Sequence, residues 1–382
     1  MVALLKRTVS LLAVMVLCFS AGAHAWAEAV PSISARSAVV MNAANGRFVF
    51  TKDENTRRPM ASTTKIMTAL LTLEAAQKNN RIITITDEMV RVEGSSMGLR
   101  PGDRLSLKSL AAGMLSISGN DAANSAAIAI GGSIPGFADL MNKRAKELNL
   151  TQTHFVTPSG LDDENHYTTA HDLALLTAAA MKNKDFAEIA GRQVISVPFE
   201  NPQQTRRYTN HNKLLSMYSG CIGVKTGYTK KAGRCLVSAA QKDGVSLIVV
   251  TLNDSDDWSD HKKLLDYGFS CFESYPMDDS AFSVDLPVVG GVKESVTVCG
   301  TKGENLMLTK TDSVLLRRVV ELPKFVYAPL QNGQVMGTVR YVVNGETVGS
   351  TKLVCGETIA RHEEPASPFR TFWENIIKYF TK

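Results

Sequence analysis

Neither a C-x-x-C spacing nor an H-E-x-x-H pair occurs among the 6 cysteines and 7 histidines of this 382-residue chain. That removes the usual zinc and dithiol-redox frameworks, and no metal or cofactor is expected. No apolar run reaches the roughly 20 residues needed to cross a bilayer. A formal charge of +5 is mild, and basic residues are not interleaved with aromatics, so nucleic acid is not an expected partner. Internal repeats and low-complexity tracts are also missing. What is left is an ordinary folded composition, 44% apolar and 21% charged, in a chain long enough for more than one core.

The N-terminus reads as a secretory signal over residues 1–27. Lys6 and Arg7 supply the positive region, a short apolar core runs from Leu11 to Phe19, and Ala23-His24-Ala25 or Ala25-Trp26-Ala27 fits a cleavage triplet. Its removal leaves Cys221, Cys235, Cys271, Cys299 and Cys355. An odd number cannot all pair within one chain. Buried apolar thiols are expected, with room for one disulfide whose partners the spacing leaves open.

Residues 37–50 read as two strands about a turn from Asn42 to Gly46. Helical patterns follow at 62–77, 107–117, 121–130, 137–148 and 172–181, the last with Thr169 as N-cap and Asp172 in its first turn. Strands are expected at 222–225, 234–240 and 247–252, and a closing helix at 260–272. Strands, then helices, then strands and a last helix imply an α+β unit. Its one antiparallel sheet joins the two ends of the chain across an inserted helical region. After Tyr275-Pro276 the sequence turns Val-rich, with strand patterns at 284–289, 295–299, 335–343 and 347–353 and a hairpin signal at Asn344-Gly345. A domain over 28–275 followed by a small all-β domain over 276–362 is expected.

Three short motifs stand in the first domain: Ser62-Thr63-Thr64-Lys65, Ser118-Gly119-Asn120 and Lys225-Thr226-Gly227. Alone, each is commonplace: a helix start, a turn, an edge strand. As an ordered set they supply a nucleophile, a base, a proton relay and an anion clamp. A serine hydroxyl attacks only when something accepts its proton. Lys65, three residues after Ser62, shares one helix face with it. Lys65 serves as base only when neutral, which burial and a nearby cation such as Lys225 both favour. Ser62 at a helix start also offers a free backbone N–H, half of an oxyanion hole. Lys225 with the Thr226 hydroxyl suits a terminal carboxylate, and Gly227 leaves room for a substrate strand.

From about Ser37 to the C-terminus the chain resembles the low-molecular-weight penicillin-binding proteins that act as serine-type D-alanyl-D-alanine carboxypeptidases. The three motifs together are a signature of these proteins and of class A β-lactamases. The resemblance implies a β-lactamase/transpeptidase-like α+β fold. It implies hydrolysis of the terminal D-Ala-D-Ala bond of peptidoglycan stem peptides through an acyl-Ser62 intermediate, and covalent inhibition by β-lactams. It also implies that Ser118 relays a proton to the leaving amine, that Asn120 holds the substrate amide and Lys65, and that the Tyr228 N–H completes the oxyanion hole. Pro158-Ser159-Gly160-Leu161 and Asp172-Leu173-Ala174 match further family segments and read as structural. One departure is Asp254-Ser255-Asp256-Asp257-Trp258-Ser259-Asp260, where several relatives carry an arginine for the carboxylate. That task is left to Lys225 and Thr226.

Three rival functions stand beside this one. A D,D-endopeptidase on cross-links would use the same residues. A β-lactamase needs a glutamate for deacylation, for which Glu147 is the nearest candidate, and a catalytically dead wall-binding protein would not need intact motifs. Beyond a polar linker at 363–368, residues 369–382 form an amphipathic pattern. Phe369, Phe372, Trp373, Ile376, Ile377, Tyr379 and Phe380 share one face of a helix, and seven polar residues fill the other. As in the resembled family, this predicts a membrane-surface anchor for a protein exported across the cytoplasmic membrane and held on its outer face.

Overall fold

The structure, a computed structural model, describes residues 30–363 together with 372, 376 and 377. The expected signal lies outside the described residues, as does the expected C-terminal helix apart from Phe372, Ile376 and Ile377, whose backbone is helical. The chain divides into two compact units, Met1–Ser270 and Cys271–Lys382. The boundary expected after Tyr275 falls too late, because Phe272–Tyr275 is a strand that pairs with Leu306–Thr309 in the second unit.

In the first unit β1 (Ser37–Asn42) and β2 (Phe48–Lys52) form the expected hairpin. The main helices are α1 (Lys65–Lys78), α2 (Leu107–Ile117), α3 (Asn120–Gly131), α4 (Ile134–Glu147) and α5 (Ala170–Met181). Then come β3 (Cys221–Thr229), β4 (Gly233–Lys242), β5 (Val245–Leu252) and α6 (Asp257–Ser270). The sheet runs β2-β1-β5-β4-β3 and is antiparallel throughout, so the first and last strands meet as the element order implied.

Both faces of this sheet are covered, because β1 is buried along its whole length. Alternation assigns the faces. Val39, Met41, Ile248 and Val250 join the large core with the inserted helices. Val40 and Leu247 face α6, where a Cβ on Gly268 would stand 2.8 and 2.7 Å from them. Within the helical region the first turn and a half of α1 is buried on every side, with Lys65, Ile66, Met67, Ala69 and Leu70 inaccessible or nearly so. This buried start lies in the core of the unit, and Lys65 is the first residue of the helix. Caps fix the other helix starts: Ser106, Ser133 and Thr169 each accept a hydrogen bond from the N–H three residues on.

Three details depart from expectation. The hairpin Val194–Phe199 with Gln204–Thr209 lies in a stretch to which the sequence pattern assigns no element; it contains Pro198, which a two-stranded ribbon tolerates. Helix α6 starts at Asp257 and stops at Ser270, because Phe272 is drawn into the next unit. Cys221, Cys235, Cys299 and Cys355 carry free thiols, and of these only Cys235 and Cys355 are buried, so the expected burial holds for two of them.

The second unit is a six-stranded sheet in the order Arg317–Glu321, Val335–Val343, Glu346–Cys355, Ser295–Gly300, Ser283–Val289, Val326–Tyr327. Asn344 and Gly345 take φ values of 51° and 87°, as a two-residue hairpin turn with both φ positive demands. The expected all-β domain carries one short helix, Lys310–Leu315, capped by Thr309. Buried Asp279 accepts hydrogen bonds from the Tyr341 hydroxyl (2.9 Å) and the Thr351 hydroxyl (2.5 Å) and pairs with Arg318.

His261 of α6 is fully buried between the Ser238 hydroxyl (2.7 Å) and the Thr251 hydroxyl (3.0 Å), and burial pushes its pKa down to about 3. The unfolded chain binds this proton below about pH 6.5, while the folded chain stays neutral until about 3. Stability is therefore expected to fall as pH drops through that window, by roughly 1.4 kcal/mol per pH unit from this residue. Thermal unfolding of a His261→Asn variant should show a lower midpoint at neutral pH and a shallower acid decline. An unchanged slope would contradict this.

Candidate active site

Ser62 sits in a tight 3-10 turn, Ala61–Thr64, and regular α-helix begins only at Lys65. The helix expected from Ser62 thus starts with a narrower turn, which still carries Ser62 and Lys65 to one side. The turn is tied down at several points. The Thr63 hydroxyl donates to Met60 O (2.6 Å), and the Thr64 hydroxyl donates to Ala61 O (2.9 Å). His166 Nδ1 accepts the Val156 N–H at 2.9 Å, so its proton resides on Nε2 and donates to the Thr64 hydroxyl at 2.7 Å. Burial holds His166 neutral, with its pKa lowered to about 4. Gly160, at φ +85°, presses against the same turn, and a Cβ there would come within 2.0 Å of Ala61 O.

Lys65 is fully buried, and its Nζ meets three oxygens: Ser62 Oγ at 3.0 Å, Asn120 Oδ1 at 2.6 Å and Ser159 O at 2.6 Å. No carboxylate is among them. A neutral amine fits this set, donating two N–H bonds to the carbonyl oxygens and offering its lone pair to the Ser62 hydroxyl. Burial lowers the Lys65 pKa well below its ordinary value, and the nearby charge of Lys225 lowers it further. Asp121 acts the other way. Its carboxylate is already engaged by the N–H groups of Met97 (2.8 Å) and Leu99 (3.0 Å) and by the Ser96 hydroxyl (2.6 Å).

Ser118 ends α2 in the left-handed conformation, φ 63°, and Asn120 opens α3. The Asn120 side chain is held at both ends, with Oδ1 on Lys65 and Nδ2 donating to Glu93 O at 2.6 Å. Ser118 Oγ is buried and has no hydrogen-bond partner among the described residues.

Strand β3 brings up the third motif. A Cβ on Gly227 would stand 3.0 Å from Ser62 N and 3.1 Å from Thr63 N, so a glycine lets this strand lie on the Ser62 turn without crowding its main chain. Tyr228 follows directly, its side chain 66% exposed. Lys225 is almost fully buried and donates to Thr226 O at 2.8 Å; burial pushes its pKa down to about 7. His211 is a neighbour. Its imidazole is held below the usual value by burial and then by Lys225, and its main-chain N–H donates to Ser116 O at 2.9 Å. Arg234, opposite Tyr228 across β3 and β4, is bound to Asp257 at 2.6 Å.

All three motifs therefore converge, with Lys65 as the joint between Ser62 and Asn120. Sequence reasoning missed the roles of Ser159 O and Glu93 O, because a main-chain carbonyl leaves no residue signature. It also read 158–161 as structural only and gave His166 and His211 no role. Among the described residues no group of three His, Cys, Asp or Glu side chains is arranged to hold a metal ion. Glu147, the candidate for a deacylating glutamate, pairs instead with Arg144 at 3.0 Å on an exposed helix end.

Known proteins share this architecture. Residues 24–256 match the family described as D-alanyl-D-alanine carboxypeptidase, and residues 269–361 match the penicillin-binding protein 5 C-terminal domain. D-alanyl-D-alanine carboxypeptidase DacF of Bacillus subtilis is 31% identical over 395 residues, covering 99% of this chain and 100% of that protein. The structure of penicillin binding protein 5 from Haemophilus influenzae is similar with a TM-score of 0.62 at 28% identity, covering 87% of this chain and 99% of the other. That of a Streptomyces DD-transpeptidase is similar with a TM-score of 0.59 at 34% identity, covering 63% of this chain and 98% of the other. With its motifs assembled and both units matched, the chain belongs to the D-alanyl-D-alanine carboxypeptidase family of low-molecular-weight penicillin-binding proteins.

Proposed function

We infer that this enzyme removes the terminal D-alanine from peptidoglycan stem peptides by acyl transfer to Ser62. The observation that carries the reading is the contact set of Lys65 Nζ: one hydroxyl, two carbonyl oxygens and no carboxylate. Neutral Lys65 takes the Ser62 proton as Oγ attacks the carbonyl carbon of the penultimate residue. The oxyanion that forms is met by the N–H groups of Ser62 and Tyr228. Collapse breaks the peptide bond, and the departing amine takes its proton through Ser118. Lys225 and Thr226 hold the terminal carboxylate, and Asn120 holds the substrate amide. Water then hydrolyses the acyl-Ser62 ester and releases the shortened stem. A β-lactam follows the first half of this path, opening its ring on Ser62. Its amine stays tethered to the acyl group and blocks the approach of water. The engagement of Glu147 with Arg144 argues against β-lactamase turnover.

We further propose that the chain is exported by its N-terminal signal and held on the outer face of the cytoplasmic membrane by residues 369–382. Support comes from the clean separation of seven apolar and seven polar residues on a helical wheel. Among the described residues no helix is long and apolar enough to cross a membrane. Truncation after Pro368 should move most of the enzyme from the membrane fraction to the soluble fraction with activity intact. Retention of the truncated enzyme on membranes would place the anchor elsewhere.

Ser62→Ala is expected to lose both release of D-alanine and covalent labelling by a fluorescent penicillin. Lys65→Ala should slow acylation by about 10²–10⁴-fold, the range typical of a lost general base. Labelling that persists in Ser62→Ala would overturn the nucleophile.

The two lysines set opposite pH limbs. Lys65 must be unprotonated, so acylation rises with pH through its lowered pKa. Lys225 must be protonated to attract a carboxylate, so kcat/KM should fall above about pH 7 in the free enzyme. In Lys225→Arg the alkaline limb should move to higher pH, because a guanidinium stays charged. An alkaline limb that stays in place would assign it to another group.

A further inference from the structure

We propose that the end of the second unit carrying Phe325 and Tyr327 rests in the lipid headgroup interface, as a second membrane contact beside the C-terminal helix. The proposal builds on the membrane reading above. Single exposed apolar residues need no explanation, but a cluster that includes an edge-to-face aromatic pair does.

The sheet register creates the cluster. Val288 and Val326 are partners in the parallel pair at the sheet edge, and both are buried. Their successors Val289 and Tyr327 are also partners, and the pleat turns both outward, 46% and 66% exposed. The Phe325 ring meets the Tyr327 ring edge-on at 5.5 Å and is itself 46% exposed. Val292, in the adjoining turn, is 60% exposed.

The path of the chain identifies the occupant. Val292 N–H donates to Ala360 O at 3.0 Å, and His362 N–H donates to Gly290 O at 2.7 Å. Residues 360–362 therefore run along this same end of the unit. From Glu363 to Phe369, where the amphipathic pattern starts, the chain can span at most about 22 Å. A helix lying in the interface thus holds this end of the unit close to the lipid. Phe and Tyr are the side chains that such a boundary favours, the Tyr hydroxyl facing water and headgroups. The rim is mixed in charge: Lys324 and Arg361 stand with Glu294 and Glu363, and Lys293 pairs with Glu357. Apolar insertion rather than charge attraction is then the main contribution, and the contact should be insensitive to salt.

The test uses the full mature chain with vesicles of phosphatidylethanolamine and phosphatidylglycerol. Phe325→Ser combined with Tyr327→Ser should weaken vesicle partitioning about tenfold or more at any salt concentration. Emission of the Tyr327→Trp chain, taken relative to the parent, should shift to the blue and be quenched by lipids brominated near the headgroup. If Phe372→Asp with Ile376→Asp abolishes partitioning while the Phe325/Tyr327 variant binds as the parent does, without quenching, the second contact is overturned and the helical anchor stands. If the parent chain does not bind vesicles, both fall. If the double serine variant loses binding to isolated peptidoglycan instead of to vesicles, the surface belongs to glycan and the proposal is overturned.

Discussion

Everything in the catalytic unit depends on burying the Lys65 amine without a counter-ion and still satisfying it. An ammonium in a dry interior needs a carboxylate partner or loses its proton. Here the three groups around Nζ are uncharged oxygens, and Asp121, whose charge acts on Lys65, spends its carboxylate on main-chain N–H groups. The central helix makes this possible. Because the start of α1 is enclosed on every side, its first residue is held out of contact with solvent. The surrounding parts are arranged to keep that geometry. Thr68 donates to Pro158 O one turn along α1 from the Lys65 contact to Ser159 O, so the loop is fastened twice. Gly160 and the neutral His166 then brace the Ser62 turn from the other side.

A second buried lysine serves a different end. Lys225 lies on the strand that Gly227 lets settle on the Ser62 turn, and burial alone brings it near neutrality at physiological pH. When Lys225 is charged, that charge favours neutral Lys65. The two buried amines are thereby coupled electrostatically, protonation of one disfavouring protonation of the other.

Much of this was legible in the sequence, and for definite reasons. The hairpin at Asn344-Gly345, the Thr169 cap and the meeting of first and last strands each rest on local rules that tertiary context did not override. The three motifs were legible because side-chain chemistry needs particular residue types. What escaped was of two kinds. Main-chain partners such as Ser159 O and Glu93 O have no side-chain identity to recognise. Elements stabilised from elsewhere were also missed: the ribbon containing Pro198, and Phe272, which pairs across to Thr309 and so shortens α6. The propping role of His166 could have been suspected from a lone histidine near a loop–helix junction, but its partner Thr64 lies 102 residues away.

The central claim is that Lys65 is uncharged in the resting enzyme. The direct measurement is a heteronuclear magnetic resonance titration of lysine Nζ in the intact protein, with the Lys65 signal assigned by its loss in Lys65→Arg. The account predicts an Nζ that is already a neutral amine at neutral pH and protonates only on acidification. A Lys65 signal that remains an ammonium until pH 10 or above, near the ordinary lysine pKa, would contradict it.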